Sequence, residues 1–161
     1  MRLFDDWSIK IPSEDDVKYP LVGAWNRMGI YDGSGELVGA VGYNIYDSTQ
    51  TEPMAIYNQV ALGNNYQFAV NRPDCTDVVT EGNCVTSVLS VYTSANMSRQ
   101  IGLGNTEIEN YGILCRNGEL GVYVAIEIDK NAAGENSINE LARSIIIGEP
   151  VADNPFASLA D

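Results

Sequence analysis

Two apolar runs flank a single Asn-Gly pair at residues 117–118, and that arrangement constrains the fold more than any other stretch of the chain. Residues 111–116 are largely apolar. Residues 119–128 alternate, so that Val122, Val124, Ile126 and Ile128 share one face of an extended strand and Tyr123, Ala125 and Glu127 the other. Asn-Gly between such runs predicts a two-residue type I′ turn, because both of its residues need positive φ. A long hairpin over 111–128 follows, apolar enough on both arms to occupy the centre of a sheet.

The rest of the chain repeats this grammar. Trp7, Ile9 and Ile11 alternate with polar residues and Pro12 closes the run, which reads as an opening strand. Residues 14–25 form a connector or short helix interrupted by Pro20. Residues 28–32 and 36–46 form a second hairpin across Gly33-Ser34-Gly35, and Gly39 and Gly42 bend or weaken its second arm. Residues 53–62 read as a helix, with Pro53 at its first position, Gly63 just past its end, and Met54, Tyr57, Val60 and Ala61 on one face. Residues 66–70 alternate as a strand. Residues 77–80 and 85–92 suggest a hairpin across Glu81-Gly82-Asn83.

A closing helix begins near Ser137, where Ser137 and Glu140 match a capping box. Ile138, Leu141, Ala142 and Ile145 make its buried stripe, and Gly148 with Pro150 stops it. Strands predominate and do not alternate regularly with helices. The fold class is therefore α+β, a mostly antiparallel, twisted sheet of about seven strands with covering helices. Residues 1–150 fit one domain, and residues 151–161 read as a flexible tail.

The chain has 161 residues and no histidine. Histidine is the commonest general base and metal ligand, so Ser-His-Asp and Cys-His nucleophilic chemistry is excluded within the chain. None of the three lysines lies in a Ser-x-x-Lys motif. Three spaced cysteines do not make a structural zinc site. The glycines between 29 and 42 miss both the phosphate-loop and the dinucleotide spacing. Asp32-Gly33-Ser34-Gly35-Glu36 lacks the alternating ligands of a calcium loop and reads as a turn. No metal and no cofactor is expected.

The formal charge is −13, from 22 acidic and 9 basic residues, and the basic residues are scattered. Nucleic acid and anionic membrane surfaces are poor partners for such a surface. No stretch approaches the roughly 18 apolar residues of a membrane span. Residues 1–7 lack the apolar core of a signal peptide. The chain is then cytosolic, or an ectodomain cut from a longer precursor. Cys75 and Cys84 flank the turn of the 77–92 hairpin, and a bridge between them implies an oxidising compartment. The alternative is three reduced thiols.

Two sets of residues are candidates for function. Tyr43, Asn44 and Tyr46, with Tyr57 and Asn58, combine apolar area with hydrogen-bonding groups, as ligand-binding surfaces do. They lie on either side of the polar loop 47–52 and form a small pocket if their faces converge; otherwise Tyr43 and Tyr57 are core residues. Glu127 beside Tyr123, with Glu107 or Glu109, offers paired carboxylates for glycoside chemistry. Otherwise Glu127 is a solvent-facing strand carboxylate.

The opening Trp-Ser-Ile-Lys-Ile-Pro strand, the central hairpins, and the segment 122–127 followed by the helix at 138–147 resemble the Mog1/PsbP-like fold. The resemblance spans residues 4–147 and implies a mostly non-catalytic accessory protein or lipoprotein. Residues 35–44 and 57–63 also resemble extracytoplasmic domains attached to M56 (BlaR1-like) sensor peptidases. No peptidase zinc motif and no acylation motif is present, so no catalytic residue carries over.

The expected function is a non-enzymatic extracytoplasmic binding, sensor or accessory domain, membrane-anchored in the full-length protein, for a protein or small-molecule ligand. The alternatives are an intracellular acidic protein that binds a basic partner, and a carboxylate hydrolase.

Overall fold

The computed structural model describes residues 4, 6–11, 27–45, 74–92 and 107–148. They form seven strands and one helix: β1 (Ser8–Lys10), β2 (Arg27–Tyr31), β3 (Leu37–Ile45), β4 (Asp74–Glu81), β5 (Cys84–Tyr92), β6 (Glu107–Asn117), β7 (Val122–Asp129) and α1 (Glu135–Arg143). All seven strands lie in one antiparallel sheet of order β1-β2-β3-β7-β6-β5-β4. Two meanders thus meet along β3 and β7. The β6–β7 hairpin sits centrally, as its two apolar arms predict. The strand predicted at 66–70, the helix at 53–62, the connector at 14–25 and the tail at 151–161 lie outside the described residues.

One face of the sheet carries α1. Ile30, Ile113, Ile126 and Ile128 of the strands form one buried cluster with Ile138 and Leu141 of the helix. The other face is buried as well, at Ala40, Val85, Leu89, Leu114 and Ala125. Burial on both faces is why residues 111–115 read as a continuous apolar run and not as an alternating one. Gly39 marks a close strand approach: a Cβ there would lie 2.6 Å from the Glu127 carbonyl oxygen on β7.

Short polar side chains build the turns. Between β2 and β3, Asp32 Oδ1 accepts from the Ser34 hydroxyl (2.7 Å), the Ser34 N–H (2.9 Å) and the Glu36 N–H (2.9 Å). The Ser34 hydroxyl, then the Glu36 N–H, hold the Asp32 carboxyl below its ordinary value. This stretch is a turn, with Gly35 at φ 85°. The β4–β5 turn is Gly82-Asn83, and Gly82 alone takes positive φ, 57°, as a type II′ turn requires of its first residue.

The central turn differs from the sequence expectation. Asn117 ends β6 and pairs with Val122, so the loop holds four residues and Gly121, not Gly118, takes positive φ. β7 starts at Val122 and not at Glu119. The cause is the Asn117 side chain: its Oδ1 accepts from the N–H groups of Glu119 (3.0 Å) and Leu120 (3.1 Å), and its Nδ2 donates to the Ile147 carbonyl (2.9 Å). An Asx turn displaces the type I′ turn.

The helix begins at Glu135, with Gly134 as N-cap and no side-chain cap, so Ser137 and Glu140 lie inside it and form no capping box. The loop before it sets the start. Asp129 Oδ1 accepts from the Asn131 backbone N–H at 2.8 Å and turns the chain directly off β7. The helix ends at Arg143, where Ser144 N–H and Oγ donate to last-turn carbonyls, and Ile145 falls beyond it. Glu135 in the first turn and Arg143 in the last suit the helix dipole.

Candidate functional site

The disulfide joins Cys84 to Cys115, not to Cys75. The two-residue turn makes Glu81 the hairpin partner of Cys84 and sets Cys75 opposite Leu89, further along the hairpin. On its other side β5 pairs with β6, where Cys84 faces Cys115 with Cα atoms 4.1 Å apart. The bridge therefore ties the two hairpins together on the face that α1 covers.

Beside this bridge, α1 and the β4–β5 hairpin leave a groove. Its two lobes, cavities of about 290 and 260 Å³, share Val79, Glu81, Thr86, Asn139 and Arg143. Cys84 and Ala142 close one lobe; Lys130 and Tyr111 close the other. Strand β4 is the sheet edge among the described residues, and residues 76–83 are all exposed. Val79 is 56% exposed and Val78 38%. A register shift between Thr76 and Val79, with Asp77 at φ 51°, makes a bulge that re-aims the strand.

An ion pair crosses the groove. Arg143 donates from Nε and Nη2 to the Glu81 carboxylate at 3.3–3.4 Å. Both side chains are 65% exposed, and pairs so exposed contribute about 0–1 kcal/mol. At the far end Lys130 Nζ meets Glu109 Oε2 at 3.2 Å. The site thus offers an apolar patch, amide and hydroxyl groups, and a carboxylate held by a loosely bound cation. A third cavity of about 500 Å³ lies at the end of the β6–β7 hairpin, beside the disulfide, Arg116 and residues 145–147. Among the described residues, no group of three or more His, Cys, Asp or Glu side chains is placed to hold a metal ion. No described helix is long and apolar enough to cross a membrane.

Those of the residues singled out from sequence that are described do not line this groove. Tyr43 is 43% exposed on β3, opposite Val124. Asn44, the next strand position, pairs with Tyr123. Tyr46, Tyr57 and Asn58 lie outside the described residues. Glu127 is not solvent-facing. It is fully buried and accepts a 2.8 Å hydrogen bond from Nδ2 of the equally buried Asn110. Because the second face of the sheet is also buried, alternation does not sort inside from outside there. Glu109 is exposed and paired with Lys130, and the strand register sets it on the opposite face from Glu127. Glu107 pairs with Tyr92 at the start of β6.

None of Val79, Thr86, Asn139 and Arg143 stands out in the sequence. One signal points toward them: two adjacent valines in a short strand with acidic residues on both sides, Asp77 and Glu81. Comparison with protein-family profiles, with curated proteins and with solved structures finds no match for this chain.

Proposed function

We propose that this chain is a non-enzymatic, extracytoplasmic binding, sensor or accessory domain, and that the groove between α1 and β4–β5 is its recognition surface. The observation that carries the reading is the Cys84–Cys115 bridge beside an open groove whose β4 wall is exposed. Structural disulfides persist in oxidising compartments, so the bridge supports a location outside the cytoplasm. Concave surfaces with apolar walls and a few polar groups are the usual form of a ligand site. The absence of histidine from the sequence supports binding over catalysis. The long antiparallel hairpins followed by a strand and a helix are compatible with the Mog1/PsbP-like resemblance, which we retain as part of the proposal.

The test is made on protein from the cells that produce it. Thiols are blocked at acidic pH, the cells are fractionated, and the protein is digested without reduction. A linked Cys84–Cys115 peptide in the envelope or secreted fraction is expected. Cytoplasmic protein with both residues alkylated contradicts the compartment. Purified, metal-free protein is expected to turn over no ester, peptide, phosphate or glycoside substrate. Turnover abolished by one carboxylate substitution, such as Glu127→Gln, contradicts the non-enzymatic reading.

A further inference from the structure

We infer that the groove takes an extended, arginine- or lysine-bearing segment of a cationic partner protein, with an aliphatic stem on Val79 and its charge at Glu81 and Asp77. This deepens the reading of the groove as a recognition surface and rests on it. The groove already holds such a group. The Arg143 guanidinium reaches from α1 to the Glu81 carboxylate, and both side chains remain 65% exposed. An incoming cation can exchange with it at little cost, because pairs so exposed contribute about 0–1 kcal/mol.

The surrounding charge favours that exchange. Asp77, Glu81 and Glu135 line the groove against Arg143 and Lys130, and Lys130 is engaged by Glu109. The chain as a whole carries −13, so its long-range field draws a cationic segment and repels both an acidic one and a second copy. Val79, 56% exposed, supplies the apolar floor that the stem of an arginine or lysine covers while its head stays in water. β4, the exposed edge of the sheet among the described residues, suits an extended backbone. The bulge at Asp77 interrupts that edge, so side chains carry the recognition more than a long ladder of backbone hydrogen bonds does.

The experiment titrates the ¹⁵N-labelled, oxidised protein with a synthetic peptide of alternating valine and arginine, and with its valine and glutamate counterpart, at low and at high salt. The Val/Arg peptide is expected to shift the amides of residues 77–81, Thr86, Asn139 and Arg143, saturably, and more weakly at high salt. Glu81→Lys is expected to weaken it about tenfold or more, and Val79→Ser to weaken it severalfold. Both positions are exposed, and unchanged melting temperatures show that the variants fold. Shifts scattered over the acidic surface, or affinity unchanged by Glu81→Lys, overturn the inference. If the Val/Glu peptide binds the groove at least as tightly, the groove stands as a recognition surface and the cationic assignment falls. Shifts of the same amides on concentrating the protein alone identify a second copy as the occupant and also overturn it. If neither peptide moves these amides, the cationic assignment falls, and cross-linking at Val79 in cells decides the groove separately.

Discussion

Reduction of the Cys84–Cys115 bridge tests the strand register and the cysteine pairing together. The bridge closes a loop of 31 residues. The chain-entropy relation gives such a loop about 3.7 kcal/mol at 25 °C, through the conformations it removes from the unfolded chain. For a chain of 161 residues, each kcal/mol moves the melting temperature by about 2–4 °C, so full reduction is expected to lower it by about 7–15 °C. The assay compares oxidised protein with protein that has been reduced, refolded and alkylated, by calorimetry and by denaturant melts. Cys75→Ala provides the discriminating control: it is expected to leave the response to reduction intact, while Cys84→Ala and Cys115→Ala each abolish it. A Cys75→Ala protein that no longer responds to reduction refutes the pairing and the register beneath it. A response under about 1 kcal/mol in the parent refutes the loop-entropy reasoning.

Three further outcomes follow from the packing and the turns. Leu141→Ala removes a side chain that is 2% exposed beneath α1 and is expected to cost about 2–5 kcal/mol in denaturant melts, a loss below about 1 kcal/mol meaning that the helix is not docked. Gly39→Ala places a Cβ 2.6 Å from the Glu127 carbonyl oxygen and is expected to cost about 1–3 kcal/mol or more, because the backbone of β7 must move; an unchanged melting temperature contradicts the β3–β7 approach. Asp32 is expected to titrate below its ordinary value of 3.8 in carboxyl NMR. Its folded pKa is lowered, so its contribution to stability is present above the unfolded pKa and is lost as pH falls through the folded one. Asp32→Ala is expected to abolish that low titration and loosen the β2–β3 turn.

Much of the sheet was legible in the chain. The alternation at 122–128, the apolar run at 111–115 and the Gly82-Asn83 turn located β7, β6, β5 and β4, four neighbouring strands of the described sheet. The helix stripe Ile138, Leu141, Ala142 was legible because a period of 3.6 is hard to mistake. The central turn was not, because Asn117 uses its side chain and not its backbone conformation to shape the loop. Glu127 was misplaced for a different reason. Period-2 alternation separates two faces but does not say that one is wet, and here both are buried at the centre. The cysteine pairing required the β5–β6 register, a contact between residues 31 apart that no local pattern encodes. The groove is similarly non-local: Glu81 and Arg143 meet across 62 residues.

We propose above that the groove at β4 and α1 recognises a partner. Site-specific photo-cross-linking tests it most directly, in cells that naturally make the protein. A benzophenone side chain is placed at Val79, and in a separate protein at Ile11, which is 54% exposed just beyond β1, the opposite edge of the sheet among the described residues. A discrete adduct is expected from Val79, diminished by Glu81→Lys, and none from Ile11. Adducts from Ile11 alone, or none from Val79 in protein that carries the Cys84–Cys115 bridge, contradict the proposal.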